Sequence, residues 1–154
     1  QSVDATVVGF SAAIAGGVAF GVVAYKRPHA NPLLDDLKED EAALTPYVLI
    51  RPEGIILITP RADLGQGAYH VQAALLAEEL DVGLADVTVD PGPPSPAYYN
   101  TVLSADAAPF PTTNTGFLAE TTRAVLDAPM KFLGVQITGG STTVPDTYEK
   151  LRHP

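Results

Sequence analysis

The chain hands over from strand to helix across a pair of glycines, and that junction limits the fold more than any other feature. "IILIT" (55–59) is an aliphatic, β-branched run that stops at Pro60. "RADLGQG" follows, and then Val71, Leu75, Leu76 and Leu80 lie along one helical face. Glycines at such a junction, here Gly65 and Gly67, permit positive φ angles and close approach of a ligand to the backbone. The helix that begins there presents unpaired N–H groups, which favour anions and polar ligand edges. Gln66, between the two glycines, carries an amide with both donor and acceptor atoms, suited to reading the edge of a heterocycle.

A second junction has the same character. "KFLGVQI" (131–137) reads as a strand, "TGGSTT" closes it, and "VPDTYEKLR" (144–152) begins a helix with Pro145 in its first turn. Gly139, Gly140, Ser141, Thr142 and Thr143 bring N–H groups and hydroxyls without charge, the ingredients of a phosphate cradle. Glycines near helix starts are also plain turns and caps, so neither loop alone names a ligand.

Around these junctions, "YVLIR" and "IILIT" flank "PEG" and predict a β-hairpin. "DVTVD" (86–90) reads as a short strand and "FLAETTRAVLDA" (117–128) as a helix. Residues 91–116 are mostly Pro, Ser, Thr, Asn, Ala and Gly, too long a stretch for a simple connection, and such loops commonly wrap a partner. The expected fold class is mixed α/β, a hairpin-and-helix α+β layer over residues 46–154. Residues 28–45, with Pro28, Pro32 and an acidic cluster (Asp35, Asp36, Glu39, Asp40, Glu41), read as a solvated linker.

Ahead of the linker, Ala5 to Tyr25 contains no charge and has the roughly 20-residue length that crosses a bilayer. Gly17 and Gly21 have the spacing of a close helix–helix contact. The expectation is a transmembrane helix, with residues 1–27 as a membrane anchor or uncleaved signal. Lys26 and Arg27 would place the following domain on the cytoplasmic side by the positive-inside rule.

Charge and composition narrow the partners. A net charge of −9 gives binding to a nucleic acid backbone no electrostatic support. The absence of cysteine excludes disulfides and thiolate metal sites on this chain, and His29, His70 and His153 show no metal spacing. "DLGQGAYH" lacks the Gly-Lys-Ser/Thr of a Walker loop and the full G-x-G-x-x-G of a dinucleotide fingerprint. No serine sits in a nucleophile elbow, and Glu78 and Glu79, adjacent on a helix, point apart. No catalytic residue and no metal ligand is assigned.

At "RADLGQGAYHVQAALLAEELDV" the sequence resembles the molybdenum-binding large subunit of the xanthine dehydrogenase and aldehyde oxidase family. The closest branch is that of isoquinoline 1-oxidoreductase and membrane-bound aldehyde dehydrogenase. "DLGQG" with "AEELDV", and "TGGSTT" with "YEKLR", occur in the family's order, with "NPLL" and "PAYYN" in agreement, over about residues 31–154. Leu64 and Asp63 stand where the family usually has methionine and glutamate, and Tyr69-His70 where it often has a small residue and threonine.

The resemblance implies that the α+β layer is part of a larger molybdopterin-binding domain, and that the cofactor is molybdopterin cytosine dinucleotide. Gly65, Gln66 and Gly67 would meet it from one loop, and Gly139, Gly140, Ser141, Thr142 and Thr143 from the other. It also implies a molybdenum hydroxylase acting on aldehydes or N-heterocycles, with an iron–sulfur small subunit and a cytochrome c subunit as further partners, and export to the periplasm, which takes precedence over the opposing charge reading of Lys26 and Arg27. The family's catalytic glutamate has no counterpart here, so the chain would supply cofactor contacts while the remainder of the subunit supplies the base. The alternative is a membrane-anchored structural or assembly subunit without catalysis.

Overall fold

The computed structural model describes residues 5–153, with side chains from residue 16 onward. Among these, five α-helices and four strands form a small α/β protein. The strands are β1 (Ala42–Thr45), β2 (Val48–Arg51), β3 (Gly54–Ile58) and β4 (Val87–Asp90), hydrogen-bonded in that order. The first three form an antiparallel meander, and β3 pairs with β4 in parallel, Ile55 opposite Val87 and Ile58 opposite Asp90. A parallel pair needs a crossover, and helix α2 (Ala68–Glu79) supplies it. β3, α2 and β4 are therefore one βαβ unit, with the Gly-Gln-Gly loop at the carboxyl end of β3. That end of the strands is where open α/β sheets receive ligands.

The predicted hairpin forms, with Arg51 opposite Gly54 and only Pro52 and Glu53 between them. Leu57 and Ile58 bury fully, with Val48, Leu49, Leu76, Tyr98 and Leu151 in the same core. The buried face of α2 carries Ala68, Gln72, Ala73, Leu76 and Ala77, so Val71 lies outside it and is exposed. Small residues on that face let α2 lie close to the sheet and to helix α5 (Thr143–Arg152).

Three elements depart from the sequence reading. The linker is partly structured: Asn31 caps a 3-10 turn at Pro32–Leu34 by accepting the Leu33 N–H at 3.0 Å, Leu33 is buried, and Ala42 and Ala43 join the sheet as β1. Within the acidic cluster, Glu41 is held by Arg51 at 2.8 Å. The long loop contains a 3-10 turn at Pro96–Tyr98 and helix α3 (Leu103–Ala107). The strand expected at 131–137 is instead the end of helix α4 (Phe117–Leu133), which runs through Pro129. Gly134, at φ 62°, ends it in a Schellman motif, its N–H bonded to Lys131 O and the Val135 N–H to Met130 O.

The transmembrane expectation is corrected. Helix α1 (Ala5–Lys26) forms, but no helix among the described residues is long and apolar enough to cross a membrane. Residues 1–4 of the expected anchor lie outside the description. From Gly16 on, α1 holds glycines at 16, 17 and 21 and alanines at 19 and 24 among exposed Val18, Phe20, Val22 and Val23. Its end is also docked on the domain. The Tyr25 hydroxyl donates to Asp127 Oδ2 at 2.8 Å, and Lys131 Nζ caps the helix by donating to the carbonyls of Tyr25 and, at 2.8 Å, Arg27.

Candidate functional site

Both glycine loops border one cavity of about 360 Å³. Leu64, Gln66, Ala68 and Val71 enter it from the first loop and α2; Thr138, Gly139, Ser141, Thr143 and Val144 enter from the second loop and α5. The loops touch directly, the Ala62 N–H donating to Thr138 Oγ1 at 3.1 Å. Two helix starts thus meet across an opening that is mostly apolar in its walls and polar at a few points.

The first loop is shaped by Asp63. Its carboxylate accepts the N–H groups of Gly65 (2.8 Å), Tyr69 (3.0 Å) and Gly67 (3.3 Å). Those bonds, Tyr69's and then Gly65's the most effective, hold the Asp63 carboxyl below the usual carboxylate range. Gly65 and Gly67 take φ of 100° and 76°, which the nest requires and side-chain-bearing residues avoid. The anion expected at the start of α2 is therefore already present as a side chain of the loop, and this end of the cavity does not invite a second one.

Gln66 is also partly committed. Its Oε1 accepts the Leu64 N–H at 2.6 Å and its Nε2 donates to Ala62 O at 3.3 Å. One N–H of the amide and the second lone pair of Oε1 are left for a ligand, so Gln66 keeps one donor and one acceptor site.

The second loop is more open. Gly140 and Ser141 both occupy the left-handed region, at φ 59° and 58°. For a serine this conformation costs about 1–2 kcal/mol. Such strain in a residue lining a cavity is a pointer to use of that residue. No side chain caps α5, so its first amides remain available, and Pro145 removes one that would otherwise be orphaned. Thr142 does not face the cavity. It is buried, its hydroxyl donating to Gly139 O at 2.8 Å and accepting from Asn100 Nδ2 at 2.8 Å.

Of the eight residues singled out from the sequence, Gln66, Gly139, Ser141 and Thr143 line the cavity. Gly65, Gly67 and Gly140 set backbone shape, and Thr142 fastens its loop. The sequence reading missed Leu64, Ala68, Val71, Thr138 and Val144 as walls, since ordinary apolar residues and a lone threonine carry no motif.

It also missed the buried knot beneath. Arg61, 3% exposed, is paired through Nη2 with Asp146 Oδ2. Asp146 Oδ1 accepts from the Thr101 N–H and hydroxyl, both at 2.6 Å, and from Lys150 at 3.0 Å. Burial alone would raise the Asp146 carboxyl, but Lys150, Thr101 and Arg61 together carry it below the usual range. Arg61 Nε and Nη1 and Thr59 Oγ1 are buried without partners among the described residues.

No family model, curated protein or solved structure matches the chain.

Proposed function

We propose that the chain forms part of the molybdopterin cytosine dinucleotide site of a periplasmic molybdenum hydroxylase, holding the cofactor while another chain or segment supplies the catalytic base. The observation that carries this reading is the convergence of the Gly65–Gly67 and Gly139–Thr143 loops on one cavity. These are the two motifs on which the sequence resemblance rests.

The residues present suit such a group. Leu64, Ala68, Val71 and Val144 offer apolar faces to a flat ring, while the spare Gln66 N–H and the hydroxyls of Ser141 and Thr143 can meet its polar edge. A Cβ built on Gly65 or Gly67 would meet nothing within 4 Å, so the space before the first loop is open to an incoming molecule. Among the described residues, no lysine or arginine lines the cavity, so phosphate groups would rest on the amides of the second loop and on a partner chain.

When bound, the cofactor supplies the oxidation of an electron-poor carbon in an aldehyde or N-heterocycle. This chain's own residues bind and orient. Among the described residues, no Asp, Glu, His or Lys lines the cavity. The iron–sulfur subunit and the remainder of the molybdopterin subunit are the partners this reading requires, and a cytochrome c subunit is compatible with it.

Metal and pterin analysis of the purified complex is the test. Molybdenum and pterin should co-purify, and Gln66→Ala should lower their retention. A complex devoid of both rejects the reading. The second reading is a structural or assembly subunit without catalysis. A partner set lacking any chain with the missing catalytic half would support that alternative.

A further inference from the structure

A second opening, of about 320 Å³, lies between the end of α1, the turn at Pro46–Tyr47, the Pro96–Tyr98 turn, α4 and α5. Its chemistry opposes that of the chain as a whole. The protein carries 18 acidic residues against nine Lys and Arg, yet Lys26, Lys131, Lys150 and His29 line this opening and no Asp or Glu does.

These cations are incompletely compensated. Lys131 is only 8% exposed, and its ammonium donates to two backbone carbonyls. Among the described residues neither Lys131 nor Lys26 takes part in an ion pair. The same ammonium lies 5.3 Å from the centre of the Tyr25 ring, so carbonyl dipoles and a ring face meet its charge where an ion pair would meet it more strongly. Lys150 shares Asp146 with Arg61, so one carboxylate serves two cations. His29 Nε2 donates to Lys131 O at 3.2 Å, which leaves Nδ1 as the ring's second polar site.

The walls are aromatic. The ring of Tyr47 lies 5.5 Å from Lys150 Nζ, and that of Tyr99 stands edge-on to His29 at 5.9 Å. We propose that this opening binds a small oxyanion, phosphate or carboxylate, borne on a flat apolar body, with Lys26 and Lys131 as its counter-charges and the rings of Tyr47 and Tyr99 beside the body. It shares no lining residue with the 360 Å³ cavity, and its ligand is independent of the cofactor proposed there.

Titration of the full chain with phenyl phosphate, benzoate, inorganic phosphate and phenol at low ionic strength tests this, followed by the NMR signals of the Tyr47, Tyr99 and His29 rings. Both aryl anions should bind saturably and shift those rings, phenol should not, and inorganic phosphate should bind more weakly. Tighter binding of phenyl phosphate or of benzoate identifies which oxyanion the site prefers. Lys26→Gln, an exposed change that spares the fold, should weaken binding about 2- to 5-fold, while Lys38→Gln, an exposed cation outside the opening, should not. Absence of saturable shifts would overturn the proposal. So would equal weakening by the two variants, or shifts confined to residues 138–144.

Discussion

Arg61 and Asp146 face each other in the interior, a guanidinium that precedes the first glycine loop paired with a carboxylate in the first turn of the helix that follows the second. The pair joins the two loops from beneath, while the Ala62–Thr138 hydrogen bond joins them nearer the surface. The cavity between the loops is bounded by these polar connections, while Leu76 of α2 and Leu151 of α5 share the core.

Asp146→Asn should therefore destabilise the protein by about 3–5 kcal/mol, since it leaves the buried Arg61 charge without its partner. Urea denaturation measures this as a lowered midpoint. A midpoint within error of the parent would mean that the pair contributes nothing to joining the loops.

Acid should weaken the same connection. The folded-state pKa of Asp146 is lowered, so below the unfolded value of about 3.9 the unfolded chain binds the proton more readily. The stabilisation is complete above that value and is lost as pH falls through the folded pKa. Denaturation midpoints measured from pH 6 down to pH 2 should fall below about pH 4, and the fall should be shallower in Asp146→Asn.

Asp63 organises the first loop and not the core. Asp63→Ala should leave global stability little changed but speed amide hydrogen exchange at Gly65, Gly67 and Tyr69, whose N–H groups it accepts. NMR exchange rates read this directly, and protection that persists in the variant would contradict the nest. The lowered pKa of Asp63 places loss of protection in the same acidic range.

Glycine substitutions separate strain from collision. Gly67→Ala meets open space, so it should cost only the left-handed backbone term of about 1–2 kcal/mol. At Gly92, also at positive φ, an added Cβ would lie 2.4 Å from Ile58 Cγ2. Gly92→Ala should add overpacking of about 1–3 kcal/mol to a similar strain. Equal thermal shifts in the two variants would contradict this difference.

Helix α4 turns its apolar side outward. Asp127 and Lys131 are buried, whereas Phe117 is 82% exposed and Leu118, Val125, Phe132 and Leu133 are exposed with it. Phe117→Ser and Phe132→Ser should change stability by no more than about 0.5 kcal/mol, read as the shift in urea midpoint. A large loss of stability would show that these side chains are covered in solution.

What the sequence determined by itself is local. Short aliphatic runs around "PEG" specify the hairpin, and glycines flanking Gln66 specify a left-handed turn into α2, because backbone sterics act within a few residues. The order of the two glycine loops was likewise legible, as was the lack of charge in the second, whereas the strand expected ahead of that second loop does not form. Tertiary structure decided which groups are free to act. Asp63 occupies the amides at the start of α2, the Gln66 amide is half consumed by its own loop, and Thr142 turns inward to Asn100, a partner 42 positions away. It also decided that "KFL" completes a helix ended by Gly134, since Lys131 and Asp127 share a helical face that binds the end of α1. The end of that charge-free N-terminal segment settles on α4, a contact between residues about a hundred positions apart. Periodicity reports which residues share a face, but not what that face meets, because the meeting depends on contacts distant along the chain.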